Sequence, residues 1–210
     1  MRRLPAILPS GSWTPSRSSV SGLPESPVGL LAKHYAIAHG RVIESAARTD
    51  DGAFAKSMGT RVHSVAWQVW HIARWDDRFA EIVLEKTPGL AGKFGPGQIW
   101  TAESLAERWG LPVGQMGRRD TGTEMDDKSA DALRLPEKSV LVDYARRVFA
   151  RLQAVLKAMP DDSLFDVMPD DPDGDSYADN IVIYLDHVQR HLGMIEALRG
   201  LQGTAGTATT

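Results

Sequence analysis

Side chains four apart on a helix stand on neighbouring turns with about 5–6 Å between their Cβ atoms, which lets two imidazoles reach one metal ion. His187 and His191 have this spacing, inside the run from Asp186 to Gly200. A third donor must then come from elsewhere in the chain. With 6 His in 210 residues, chance alone gives such a pair in roughly one sequence in seven, so the motif by itself is weak. A single buried His191, hydrogen-bonded to a neighbour, is the competing reading.

The helix that must carry the pair is written in Ile181, Tyr184, Leu185, Val188, Leu192, Ile195 and Leu198, which recur at three- and four-residue steps. His191 falls inside this apolar stripe and His187 on its edge. The helix is expected from about Ser176 to Leu201. Three more long helices precede it. Ser26-Pro27 is a capped start for the first, which runs to about Ala47 with Leu30, Leu31, His34, Ile37, Ala38, Val42 and Ala46 in period. His34 falls on its inner side, where a core or rim histidine is the expectation ahead of a ligand, and His39 reads as exposed.

The second helix begins at Ser64. Val65, Val69, Ile72, Phe79 and Val83 form one apolar side, and Ser64, Trp67, Gln68, His71, Trp75, Arg78 and Ile82 an adjoining strip that mixes rings with polar groups. Such a strip suits a pocket wall. The third helix starts at Lys138 or Ser139, carries Leu141, Tyr144, Ala145, Val148, Leu152, Val155, Leu156 and Met159, and stops before Pro160. Residues 85–138 hold many Gly and Pro turn signals. Thr101 is placed there as the cap of a short helix through Arg108, and the segment as a candidate lid of short helices over one end. Asp171, Asp173 and Asp175 resemble a calcium loop, but Val182 stands where the closing glutamate belongs, so a solvated turn is expected.

Four long helices with almost no strand signal predict an all-α four-helix bundle over residues 27–202, with a crossover between the second and third. Residues 1–26 read as an extension, with Arg2, Arg3 and Arg17 but no apolar core of a targeting signal, and residues 203–210 as a disordered tail. A net charge of -3 without a basic cluster argues against nucleic acid, and no apolar run reaches membrane-spanning length. The expected setting is cytoplasmic, with a small-molecule substrate and room for a homodimer. The absence of cysteine removes thiolate sites, disulfides, a cysteine nucleophile and covalent haem, and no Glu-x-x-His or His-Glu-x-x-His motif is present.

Two segments, Trp67 through Phe79 and His187 through Gly200, resemble the DinB/YfiT-like superfamily of four-helix metalloenzymes, and the resemblance covers about Val28 to Gly203. It implies a divalent metal, zinc or nickel, held by His71, His187 and His191. His191-Leu-Gly-Met-Ile-Glu-Ala-Leu-Arg199 is similar to the family's His-x-Gly-Gln-Ile-Glu-Ala-Leu-Arg ending, with Met194 replacing glutamine. That exchange bears on hydrogen bonding behind the ligands.

The resemblance further implies transfer or conjugation of a low-molecular-weight thiol to an electrophile, because an open position on a three-histidine ion lowers the pKa of the group that fills it. Trp67 and Trp75 would line the substrate pocket and Arg78 would hold an anionic group. Metal-assisted hydrolysis at the same site is the alternative, though Asp76 and Asp77 point away from His71 on the helical wheel and no general base is assigned. A non-catalytic, stress-related helical protein with histidines in its core is the third reading.

Overall fold

The structure is a computed structural model, and it describes residues 26–59, 62–95 and 97–204. The extension expected over residues 1–26 therefore lies outside the described residues apart from Ser26, as does most of the tail expected over 203–210. The helices are α1 (Pro27–Arg48), α2 (Asp51–Phe54), α3 (Val65–Lys86), α4 (Ala91–Phe94), α5 (Ile99–Ala102), α6 (Leu105–Arg108), α7 (Asp127–Ala132), α8 (Lys138–Lys157) and α9 (Tyr177–Leu201). Among the described residues the only β pairing is the isolated bridge of Val167 with Ser176. No described helix is long and apolar enough to cross a membrane.

Three of the four long helices start where serine satisfies free backbone N–H groups. Ser26 accepts from the Gly29 amide at 3.0 Å and Ser64 from the Trp67 amide at 3.2 Å. Ser176 and Asp179 exchange side-chain bonds with each other's backbone, a capping box that starts α9. The exception is α8, whose N-cap Glu137 makes no side-chain cap bond.

Each of α1 and α3 packs against both α8 and α9. Residue pairings give the directions. Gln68 meets His191 and Phe79 meets Tyr184, so α3 and α9 are antiparallel. Tyr35 meets Ile181 and Ser45 meets Glu196, so α1 and α9 run parallel; His39 meets Gln153 and Thr49 meets Lys138, so α1 and α8 are antiparallel. It follows that α3 and α8 run the same way, which only a long return connection permits. The segment holding α4 to α7 is that crossover, as expected.

The crossover wraps α3, and from Val65 to Arg74 every residue of that helix is buried. A helix enclosed on all sides must neutralise its own polar groups. Asp77 accepts from the Ile99 and Trp100 amides at 3.0 and 2.8 Å, so a carboxylate on α3 caps α5. The short helix expected from Thr101 to Arg108 is in fact two, broken by Ser104 in the left-handed region with φ 49°, and Thr101 caps neither. In the acidic turn Asp171 accepts from the Asp173 and Asp175 amides and from Asn180, and one carboxylate oxygen from each of Asp171, Asp173 and Asp175 lies within 4.8 Å of the others.

Two histidine expectations on α1 are corrected. His39, read as exposed, is 1% exposed; its Nε2 lies 2.7 Å from Asp76 Oδ2, its Nδ1 contacts the Gln153 amide, and its ring stacks on Phe149 at 3.9 Å. The buried carboxylate is what admits an imidazole to the core. His34, placed on the inner side, is exposed, because Tyr35 and Ala38 turn inward in its place.

Candidate metal centre

Gln68 and His71 on α3 face His187 and His191 on α9. The antiparallel packing sets Gln68 level with His191 and His71 level with both α9 histidines. One ring nitrogen from each of His71, His187 and His191 lies within 4.8 Å of the others, and the Nε2 atoms of His71 and His187 are 3.0 Å apart. Ring centroids are 4.6 Å apart for His71 and His191, and 4.4 Å for His187 and His191.

Hydrogen bonds behind two of the rings decide which nitrogen faces the cluster. His71 Nδ1 lies 2.5 Å from the Thr121 carbonyl, which only accepts, so Nδ1 carries the proton and Nε2 presents a lone pair. His191 Nδ1 lies 2.5 Å from Gln68 Oε1 and is fixed in the same way. His187 Nδ1 is buried without a partner. Burial first, and then a neighbouring ring in the cluster (His191 for His71, His71 for His187, His187 for His191), lowers the pKa of each imidazole to about 3. At neutral pH the three rings are uncharged; the Nε2 lone pairs of His71 and His191 face the cluster, and His187 Nε2 lies within hydrogen-bond distance of His71 Nε2. Three imidazole nitrogens so gathered form a donor set able to hold a metal ion.

The flanking residues divide. Trp67 is buried, stacks on His71 with centroids 4.6 Å apart, and lines a cavity of about 210 Å³ together with Ser64, Asp131 and Arg134. Trp75 stands 6.3 Å from His187 and donates from Nε1 to Thr123 Oγ1 at 2.9 Å. Arg78 pairs with Glu81 through Nη1, while its Nε is buried without a partner. Neither Asp76 nor Asp77 reaches the histidines, since Asp76 faces His39 and Asp77 faces α5.

Met194, where the resembled family has glutamine, is 47% exposed, and support for His191 comes from Gln68 instead. Two contributors escaped the sequence. Gln68 stood on the polar strip of α3 with nothing to mark its partner, and the Thr121-Gly122 turn lay in the least patterned part of the chain. Gly122 is required there: with φ 88°, a Cβ on it would stand 2.7 Å from the Trp67 ring and 2.8 Å from the Trp70 ring.

A helical bundle with an inward-facing three-histidine cluster defines the class of protein. Within it, residues 34–195 match the profile described as the DinB superfamily, and the chain belongs to that family. No curated protein matches the sequence significantly. Among solved structures, one titled the conserved protein of locus from Enterococcus faecalis is similar in fold, with a TM-score of 0.66 and 19% identity over 84% of this chain and 96% of that one.

Proposed function

We propose that this chain is a metal-dependent enzyme that conjugates a low-molecular-weight thiol to an electrophile, with His71, His187 and His191 as the metal ligands. The observation that carries the reading is the pair of Nδ1 hydrogen bonds, from His71 to Thr121 and from His191 to Gln68, which leave both Nε2 lone pairs directed into the cluster. A zinc or nickel ion bound there supplies Lewis acidity that makes a thiol acidic enough to ionise near neutral pH. The chain has no cysteine, so the sulfur arrives with the substrate.

The surrounding residues shape and dry the pocket. Trp67 and Trp75 give it apolar walls beside His71 and His187. Arg78, on the same strip of α3 as His71, orients an anionic group of the substrate through its guanidinium. Hydrolysis at the same site is less well supported, because Asp76 and Asp77, the acids nearest to His71 in sequence, are engaged elsewhere.

Metal content of the purified wild type, compared with His71→Ala, His187→Ala and His191→Ala, tests the ligand set. One equivalent in wild type and loss in each variant is expected; retention in all three, or none in wild type, ends the proposal and leaves the non-catalytic reading. The reaction is tested by offering the loaded protein a series of thiols with a chromogenic electrophile.

A further inference from the structure

The part of the crossover that covers His71 has a backbone that must be forced into place. Arg119 and Asp120 are consecutive non-glycine residues in the left-handed region, with φ of 54° and 52°. Side chains with a Cβ stay there only where the surroundings impose it. The Asp120 carboxylate stabilises the turn from within by accepting from the Gly114 and Met116 amides.

Arg74 imposes it from below. Its Nε donates to the Asp120 carbonyl at 3.0 Å, and its Nη2 lies 3.5 Å from the Arg119 carbonyl and 2.9 Å from Gln98 Oε1. The guanidinium is buried, sits 4.4 Å over the Trp100 ring, and turns its Nη1 toward Asp77 at 3.6 Å and Tyr144 at 3.4 Å. Asp77 already answers the charge. The additional bonds to two carbonyls fix a position, because the planar fork of donors holds its acceptors at set angles.

The next carbonyl along the chain, that of Thr121, is the acceptor for His71 Nδ1. A single peptide unit thus separates the carbonyl that Arg74 holds from the carbonyl that holds the imidazole. On the other side of Thr121, Gly122 lies flat on Trp67 and Trp70, and Thr123 is tied to Trp75.

We propose that Arg74 is a positioning residue for the metal centre: by clamping the Arg119 and Asp120 carbonyls it places the Thr121 carbonyl, and through it sets the tautomer and orientation of His71. The inference rests on the metal reading above and extends it, since metal occupancy then depends on how tightly the crossover is strapped to α3. A merely structural Arg74 would join α3 to the rest of the fold and leave the imidazole indifferent.

The test is a cobalt(II) titration of the full-length, metal-free protein against a competing chelator, read by affinity and by the visible absorption of the bound ion. Arg74→Gln is expected to weaken binding by about tenfold or more and to alter the spectrum, with Arg74→Lys intermediate. Gly122→Ala, which displaces the strap from its other end with Arg74 intact, is expected to do the same. In the metal-free wild type, ¹⁵N NMR of the imidazoles should show His71 protonated at Nδ1. A folded Arg74→Gln with wild-type affinity and spectrum overturns the proposal; where that variant does not fold, the same result for Gly122→Ala does so, and so does a His71 protonated at Nε2. Wild type that takes up no cobalt(II) would instead bring down the metal reading itself.

Discussion

Gln68 and His191, 123 residues apart in the chain, meet through the amide oxygen of one and Nδ1 of the other at 2.5 Å. The bond crosses from α3 to α9 and is a partly buried polar contact made beside the cluster, not within it. Removing such support for a ligand usually lowers metal affinity about 10–100-fold. Gln68→Ala is therefore expected to bind metal more weakly within that range, while Gln68→Glu, which keeps an acceptor, should bind at least as well as wild type. Chelator competition measures both, and equal affinities for wild type and Gln68→Ala would show the contact to be incidental.

The histidine cluster also makes stability depend on pH. The three folded-state values of about 3 lie below the ordinary imidazole value of 6.5. Between these limits the unfolded chain holds more protons than the folded one, so acid favours unfolding. The contribution is complete above about pH 6.5 and is lost as pH falls toward 3, with a slope of up to about 1.4 kcal/mol per pH unit for each histidine. Urea unfolding of metal-free protein between neutral and mildly acidic pH should show a shallower slope in His71→Ala than in wild type. Parallel slopes would mean the rings are hydrated and charged.

His39 and Asp76 form a pair that is closed off from solvent, with side chains 2% and 0% exposed. Burial pushes the Asp76 carboxyl up, and His39 pulls it part of the way back. His39→Ala strands the acid and should cost about 3–5 kcal/mol, whereas replacing both residues with leucine should cost far less. Denaturant midpoints for the single and double variants decide this. A single variant within about 1 kcal/mol of wild type would imply that water reaches Asp76.

Arg78 pairs with Glu81 through Nη1, and its Nε is buried without a partner. Arg78→Gln should leave metal content unchanged and raise KM for carboxylate-bearing electrophiles by about tenfold relative to neutral ones. A uniform effect on both kinds of electrophile would reduce Arg78 to a packing partner of Glu81.

The four long helices were legible from apolar residues in helical step, and three of them also start at a serine that proves to be the cap. His187 and His191 could be read from their spacing, and His71 from its place between tryptophans on a strip suited to a pocket wall, but joining the three as one ligand set came only through resemblance to a family. His39 was misread because hydropathy counts an imidazole as polar, and the acid that takes it into the core is on another helix. The crossover was opaque for a backbone reason. Ser104, Arg119, Asp120 and Glu124 all adopt positive φ, a conformation that sequence advertises when glycine does it and conceals otherwise.

The enclosure of α3 has a mechanical corollary. One flank of the helix answers to His187 and His191, another to His39, and a third to the amides of Ile99 and Trp100. Sliding it by one residue or turning it by one step would break all these matches together and leave several ionic groups stranded in a dry interior. Access to the cluster by bending or rolling this rod is thereby closed off, and any opening falls to segments outside it.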